Sequence, residues 1–107
     1  MRGETGGVEV GVFGSLRKYM DLEGRPYRFY HQINKQGCQA ASVASEIGLP
    51  VEEVEVVFKN GKVINMFDQI MPGDRISFFP FGTPGPYRLF LGIFRETRRR
   101  QQLENRD

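Results

Sequence analysis

The chain has 107 residues, with 15 Lys and Arg against 13 Asp and Glu for a net charge of +2; that is one domain with one modest core, and a balance too even to argue for a nucleic-acid partner. A single cysteine, Cys38, excludes an intrachain disulfide and a zinc site built from cysteines. Residues 1–7 are polar and do not read as a signal peptide, and no run reaches the roughly 18 apolar residues needed to span a bilayer, so the expected location is cytoplasmic and no membrane partner is expected.

Residues 1–7 read as a flexible N-terminal tail. Val8, Val10 and Val12 then alternate with Glu9 and Gly11, the period of two of a strand with one buried face. Gly14-Ser15 breaks it, residues 16–20 have room for one helical turn, and Gly24-Arg25-Pro26 closes the region as a loop. The aromatic-rich run 27–35, which holds Ile33, predicts a second strand pairing back on the first. Ala40, Val43, Ala44 and Ile47 fall at i, i+3, i+4 and i+7, one stripe of a helix. Gly48 suits its C-terminal cap and Pro50 prevents continuation. A helix of about three turns does not persist alone in water, so this stripe must dock on a sheet.

Residues 54–58 predict a strand with Val54, Val56 and Phe58 on one face and Glu55 and Val57 on the other. Asn60-Gly61 is a strong hairpin signal, with Val63-Ile64 starting the returning arm. Residues 66–70 read as an irregular link, and Pro72-Gly73-Asp74 as a tight turn with Pro at its second position. Residues 75–79 predict a further strand with Ile76 and Phe78 on one face, and Pro80 stops it or sets it near an edge. Residues 82–86 form a stiff Gly- and Pro-rich joint. Beyond it, Leu89, Leu91 and Ile93 share one face of an extended segment and Phe90 and Phe94 the other. A segment apolar on both faces is not left in water, so residues 86–96 predict an extra strand. Residues 97–107 are charged, lack an apolar stripe and are expected to be disordered.

Two local patterns sharpen this order of elements. One is the helix ending Ile47-Gly48-Leu49-Pro50, followed by the strand from Val54 and by Asn60-Gly61. The other is Pro72-Gly73-Asp74-Arg75-Ile76-Ser77-Phe78-Phe79-Pro80. Together they resemble the MoaD/ThiS family of ubiquitin-like sulfur carriers over residues 8–85. The resemblance implies an α+β β-grasp fold: a mixed four- to five-stranded sheet packed on one main helix, with an extra C-terminal strand added here. It also implies a carrier or cofactor-synthesis subunit with no catalytic constellation of its own, serving molybdopterin or tungstopterin synthesis. Its protein partners would be a MoaE-like subunit and a ubiquitin-activating-type adenylyltransferase. In that family the chain ends in Gly-Gly, and the terminal carboxylate becomes a thiocarboxylate. Here the corresponding positions are Pro84 and Gly85, and the chain continues for 22 residues. A carrier terminus therefore requires cleavage after Gly85, and a thiocarboxylate forms there only if that happens; no other cofactor is expected.

Each candidate site has a plainer reading beside it. Pro84 and Gly85 are a latent carrier terminus or simply a turn. Phe78, Phe79 and Phe81 cannot all face one core, so they form a partner-binding patch, or two are buried and one is an ordinary exposed aromatic. Leu89, Phe90, Leu91 and Phe94 bind a partner's sheet or a second copy, or dock on the domain's own sheet edge and protect it. Cys38, just before the helix, is a reactive thiolate or a small passive residue, and the passive reading is favoured. His31, the sole histidine, has no catalytic or metal-ligand partner at a telling spacing. The run Arg98-Arg99-Arg100 lacks the interleaved aromatics of single-strand binders and reads as a solvated tail. A non-conjugating module that binds a larger protein through its sheet and C-terminal strand is the alternative function.

Overall fold

The computed structural model describes residues 4–82. Strand β1 (Thr5–Val12) leads through a 3₁₀ turn (Gly14–Leu16) into helix α1 (Arg17–Leu22). The chain returns as β2 (Arg28–Asn34), then β3 (Cys38–Gln39) and helix α2 (Ala40–Glu46). A second 3₁₀ turn (Val51–Glu53) precedes β4 (Val54–Lys59), β5 (Lys62–Ile64), β6 (Gln69–Ile70) and β7 (Arg75–Pro80). Five strands make one mixed sheet in the order β2-β1-β7-β4-β5, and β3 and β6 form a separate two-stranded ladder. The central pair, β1 and β7, is parallel, with Glu9 opposite Arg75 and Val12 opposite Phe78. The flanking pairs are antiparallel.

One face of this sheet is closed by the helices. The alternation of β1 turns Val8, Val10 and Val12 to that side, and the register carries Ile76 and Phe78 of β7 and Val57 of β4 with them. The predicted helical stripe meets them: Ala40, Val43, Ala44 and Ile47 are all at most 1% exposed. Leu16 and Met20, from the first helical region, complete the same cluster. Helix α2 ends as the sequence predicts. Gly48 takes φ 89°, its N–H donates to the Ser45 carbonyl, and the Leu49 N–H donates to the Ala44 carbonyl. These are the two bonds of a Schellman cap, and the cap turns Leu49 back into the core. The hairpin after β4 also follows its signal, with Asn60 at φ 53° and Gly61 at φ 85°, both positive as a type I′ turn requires.

The structure differs from the sequence reading at three places. Residues 5–7 belong to β1 and not to a tail, because Thr5, Gly6 and Gly7 pair with Asn34, Ile33 and Gln32. Residues 66–70 are not an irregular link. The Asn65 N–H donates to Asp68 Oδ2, Asn65 Oδ1 accepts from the Phe67 N–H, and the turn so made delivers Gln69 and Ile70 to pair with Gln39 and Cys38. Strand β7 ends at Pro80, opposite Val54, as the sequence reading expects, although β7 is a central strand and not an edge. The alternation expected in β4 fails because the register shifts between Val54 and Val56. Such a bulge puts one extra residue in a strand and moves the rest of that strand to the other face. Val54 and Val57 therefore share the core side, while Val56 and Phe58 lie on the opposite side with Phe79. Residues 83–107, including the expected extra strand and tail, lie outside the described residues.

Candidate functional site: the open sheet face and the exit of β7

The face away from the helices is built by the residues that alternate with the core set. Along β1 these are Gly7, Glu9, Gly11 and, just beyond the strand, Phe13. Along β2 they are Arg28, Tyr30 and Gln32, and along β7 they are Arg75, Ser77 and Phe79. The centre of this face is ionic. Arg28 Nη1 donates to Glu9 Oε2 at 3.0 Å, and Arg75 Nε donates to Glu9 Oε1 at 3.2 Å. The Arg28 hydrogen bond is the main cause holding the Glu9 carboxyl below its ordinary range, with Arg75 adding to it against a smaller opposing effect of burial. One carboxylate thus ties three adjacent strands together while both guanidinium groups stay more than half exposed.

Toward the C-terminal end of β7 the face becomes aromatic. The Phe13 and Phe79 rings stack at 4.8 Å between centroids with 6° between planes, and Phe58 meets Phe79 edge-on at 5.1 Å. The Arg17 guanidinium lies 4.6 Å from the centre of the Tyr27 ring and 5.6 Å from that of Phe13, while its Nε donates to the Val12 carbonyl at 3.0 Å. The series Tyr27, Arg17, Phe13, Phe79, Phe58 therefore runs continuously across the end of the sheet. Gly11 makes room for it, since a Cβ there would sit 3.0 Å from Phe13 Cε2 and 3.5 Å from the Arg28 guanidinium. Phe13, Phe79, Pro80 and Phe81 line a groove of about 430 Å³ at the point where the chain leaves β7.

Of the three phenylalanines singled out in the sequence, Phe78 is corrected. It is the largest fully buried side chain of the core, at 0% exposure, and cannot touch a partner. Phe79 and Phe81 do lie on the open side near the exit, and Phe81 is 50% exposed. Pro84, Gly85, Leu89, Phe90, Leu91 and Phe94 lie outside the described residues. Sequence reasoning missed Phe13, Arg17, Arg28, Glu9 and Arg75. Their signal was the other half of the period of two: Glu9, Gly11 and Phe13 are the positions between and after Val8, Val10 and Val12.

The two remaining candidates have structural roles. The Cys38 thiol is half-buried, and burial first and the nearby Glu46 carboxylate second push its pKa up. This is opposite to the shift that makes a thiol reactive. His31 Nε2 lies 2.7 Å from Glu46 Oε1, which links β2 to the end of α2. Among the described residues no three His, Cys, Asp or Glu side chains gather where they could hold a metal ion, and no helix is long and apolar enough to cross a membrane.

A mixed sheet with a parallel central pair, a crossover helix on one face and β7, the last described strand, inserted between β1 and β4 defines the described residues as a β-grasp domain, the fold implied by the sequence resemblance. The solution structure of the HVO 2177 protein of Haloferax volcanii is similar, with a TM-score of 0.53 and 23% identity over 76% of this chain and 88% of that one. The crystal structure of SAMP1 from Haloferax volcanii also matches, with a TM-score of 0.53 and 15% identity over 75% of this chain and all of that one. No protein-family model matches the sequence, and no curated protein does. At these identities the likeness is one of fold.

Proposed function

We propose that this chain is a MoaD/ThiS-like carrier or cofactor-synthesis small subunit that presents its C-terminal segment to a larger protein. The observation that carries this reading is the placement of β7. It is a central strand, it ends at the rim of the sheet, and it releases the chain beside the groove of Phe13, Phe79, Pro80 and Phe81. A partner seated on that groove would meet the point where the chain leaves β7, three residues before Gly85. A glycine without a side chain suits passage through a narrow channel. The fitting partners are a MoaE-like subunit and a ubiquitin-activating-type adenylyltransferase, and the domain itself brings recognition and a terminus, not catalysis. The fold shared with SAMP1 supports the reading.

A second reading has its own support in the open face. An ionic cluster beside an aromatic series forms a recognition surface that requires no processing, so the domain also suits a non-conjugating interaction module. The intact mass of the protein isolated from its native cell separates the two. A species ending at Gly85, or carrying the additional mass of a thiocarboxylate there, is the carrier outcome. Full-length protein alone, under conditions where cofactor synthesis is active, leaves the interaction module.

A further inference from the structure

Asn60-Gly61 is the only Asn-Gly pair in the chain. Asparagine is among the thermolabile residues, and here the next residue has no side chain to shield its backbone nitrogen. In the fold this pair stands open to water. Asn60 is exposed, and a Cβ built on Gly61 would meet nothing within 4 Å. Burial therefore does not protect the Asn60 amide, but hydrogen bonds do. Asn60 Nδ2 donates to Asp74 Oδ1 at 2.9 Å, and Asn60 Oδ1 accepts from the Arg75 N–H at 2.8 Å. The Asn60 N–H donates to the Arg75 carbonyl at 2.8 Å. Both ends of the carboxamide are thus held by the turn that opens β7, 14 positions further along the chain. Asp74 is itself fixed, since its Oδ2 accepts from the Met71 N–H at 2.7 Å.

We propose that Asn60 is a deamidation site gated by β7: its amide is kept while Asp74 and Arg75 hold it and is lost when they do not. The reaction needs only water. The Gly61 backbone nitrogen gives up its proton and attacks Asn60 Cγ. The bond from Cγ to the side-chain nitrogen breaks, and that nitrogen leaves as ammonia with the proton, closing a five-membered imide. Water then opens the ring at either carbonyl, giving aspartate or isoaspartate at position 60. The carboxamide must let go of both its partners before Cγ can meet the Gly61 nitrogen, so the seated β7 turn slows the first step. Either product weakens the closure that came too late. Aspartate replaces the donor Nδ2 by an anionic oxygen facing Asp74, a like-charge contact where a hydrogen bond stood. Isoaspartate also puts one more carbon into the main chain, which a two-residue turn cannot absorb without losing its register. A chain that stays open at β7 is marked chemically, and one that closes is not. This site does not depend on the carrier reading, since it operates whether or not the chain is cut.

The test is peptide mapping of the full chain after incubation at mildly alkaline pH, with aspartate and isoaspartate at position 60 separated and counted. Folded wild type should lose the Asn60 amide at least about 10-fold more slowly than the same chain in urea, the scale of two hydrogen bonds of which one is to a carboxylate. Asp74→Ala, shown to be folded by slow hydrogen exchange at Val8 and Val10, should lose it at least about 3-fold faster than folded wild type, the scale of one such bond. If Asp74→Ala fails to fold, the reciprocal exchange decides. Asn60→Asp alone should lower the urea midpoint, and Asn60→Asp with Asp74→Asn should recover most of the loss, because the same bond then forms with donor and acceptor reversed. Equal rates in folded and urea-unfolded wild type, an unchanged rate in Asp74→Ala, or no recovery in the double variant overturns the proposal. Cleavage after Gly85 removes 22 residues, whereas this reaction exchanges an amide for an acid, so failure of either reading is seen apart from the other.

Discussion

Val10 and Glu9 are neighbours in one strand, as are Phe78 and Phe79 in another, yet each pair divides between two environments. On the helix side Val8, Val10, Val12, Ile76 and Phe78 are at most 1% exposed and are defined by volume. On the open side Glu9 is defined by two arginines, and Phe79 by a stacked ring and an edge-on ring. Close-packed apolar cores are costly to perturb because a cavity remains behind. Exposed ion pairs and surface ring contacts are worth far less to stability. The contrast separates what holds this domain together from what it shows to other molecules.

The sharpest way to break that contrast is to truncate the two adjacent phenylalanines. Phe78→Ala should cost about 3–5 kcal/mol, read as a shift in the urea midpoint. Phe79→Ala should cost about 1 kcal/mol, the size of a lost aromatic pair with modest burial. Equal costs would mean that the aromatic end is a second core and not a display surface. Gly11→Ala comes next, at about 0.5–1 kcal/mol for a residue that adapts by moving flexible side chains. Its signature is a changed near-UV circular dichroism spectrum from displaced Phe13, with the core amides unaffected.

Smaller effects sharpen the comparison. Glu9 has a folded pKa below its unfolded value, so its contribution is present above the ordinary carboxylate range and lost as pH falls through the lowered folded value. Wild type should therefore exceed Glu9→Gln in thermal midpoint at neutral pH, with the difference closing only in acid below pH about 4 and shrinking in high salt. A gap that persists unchanged at low pH would show that packing, and not charge, makes the difference. Last, the raised pKa of Cys38 predicts alkylation by iodoacetamide slower than that of a free cysteine at pH about 8. Faster reaction would revive the reactive-thiol reading.

The helix-side face was legible because burial leaves a period. Val8, Val10 and Val12 at period two, and Ala40, Val43, Ala44 and Ile47 at helical spacing, can be read without knowing what they touch. So can turns that demand a particular backbone, such as Asn60-Gly61 and the Gly48 cap. The bulge in β4 was not legible, because nothing in Val-Glu-Val-Val marks the extra residue; only pairing with β7 reveals it. One shifted residue was enough to move Val56 and Phe58 to the other face. The candidate site was half legible. Phe79 and Phe81 stood out, but the Glu9 cluster depends on Arg28 and Arg75, which register alone brings together. The link at residues 65–68 was missed because its order comes from side chain to backbone bonds, for which a sequence period offers no sign.

The parallel pairing of β1 with β7 also sets how the molecule is made. Glu9 and Arg75 are 66 positions apart, whereas β4 with β5 is a tight hairpin and β1 pairs with β2 across the one short connection that carries α1. Contacts of long sequence separation are closed late, because the intervening chain must first give up its freedom. A nascent chain that has not yet yielded residues 75–80 therefore holds two half-sheets with a gap at their centre and with the inward valines exposed. Strand β7 acts as the keystone: until it slots in, a newly made copy presents open strand edges that favour edge-to-edge association.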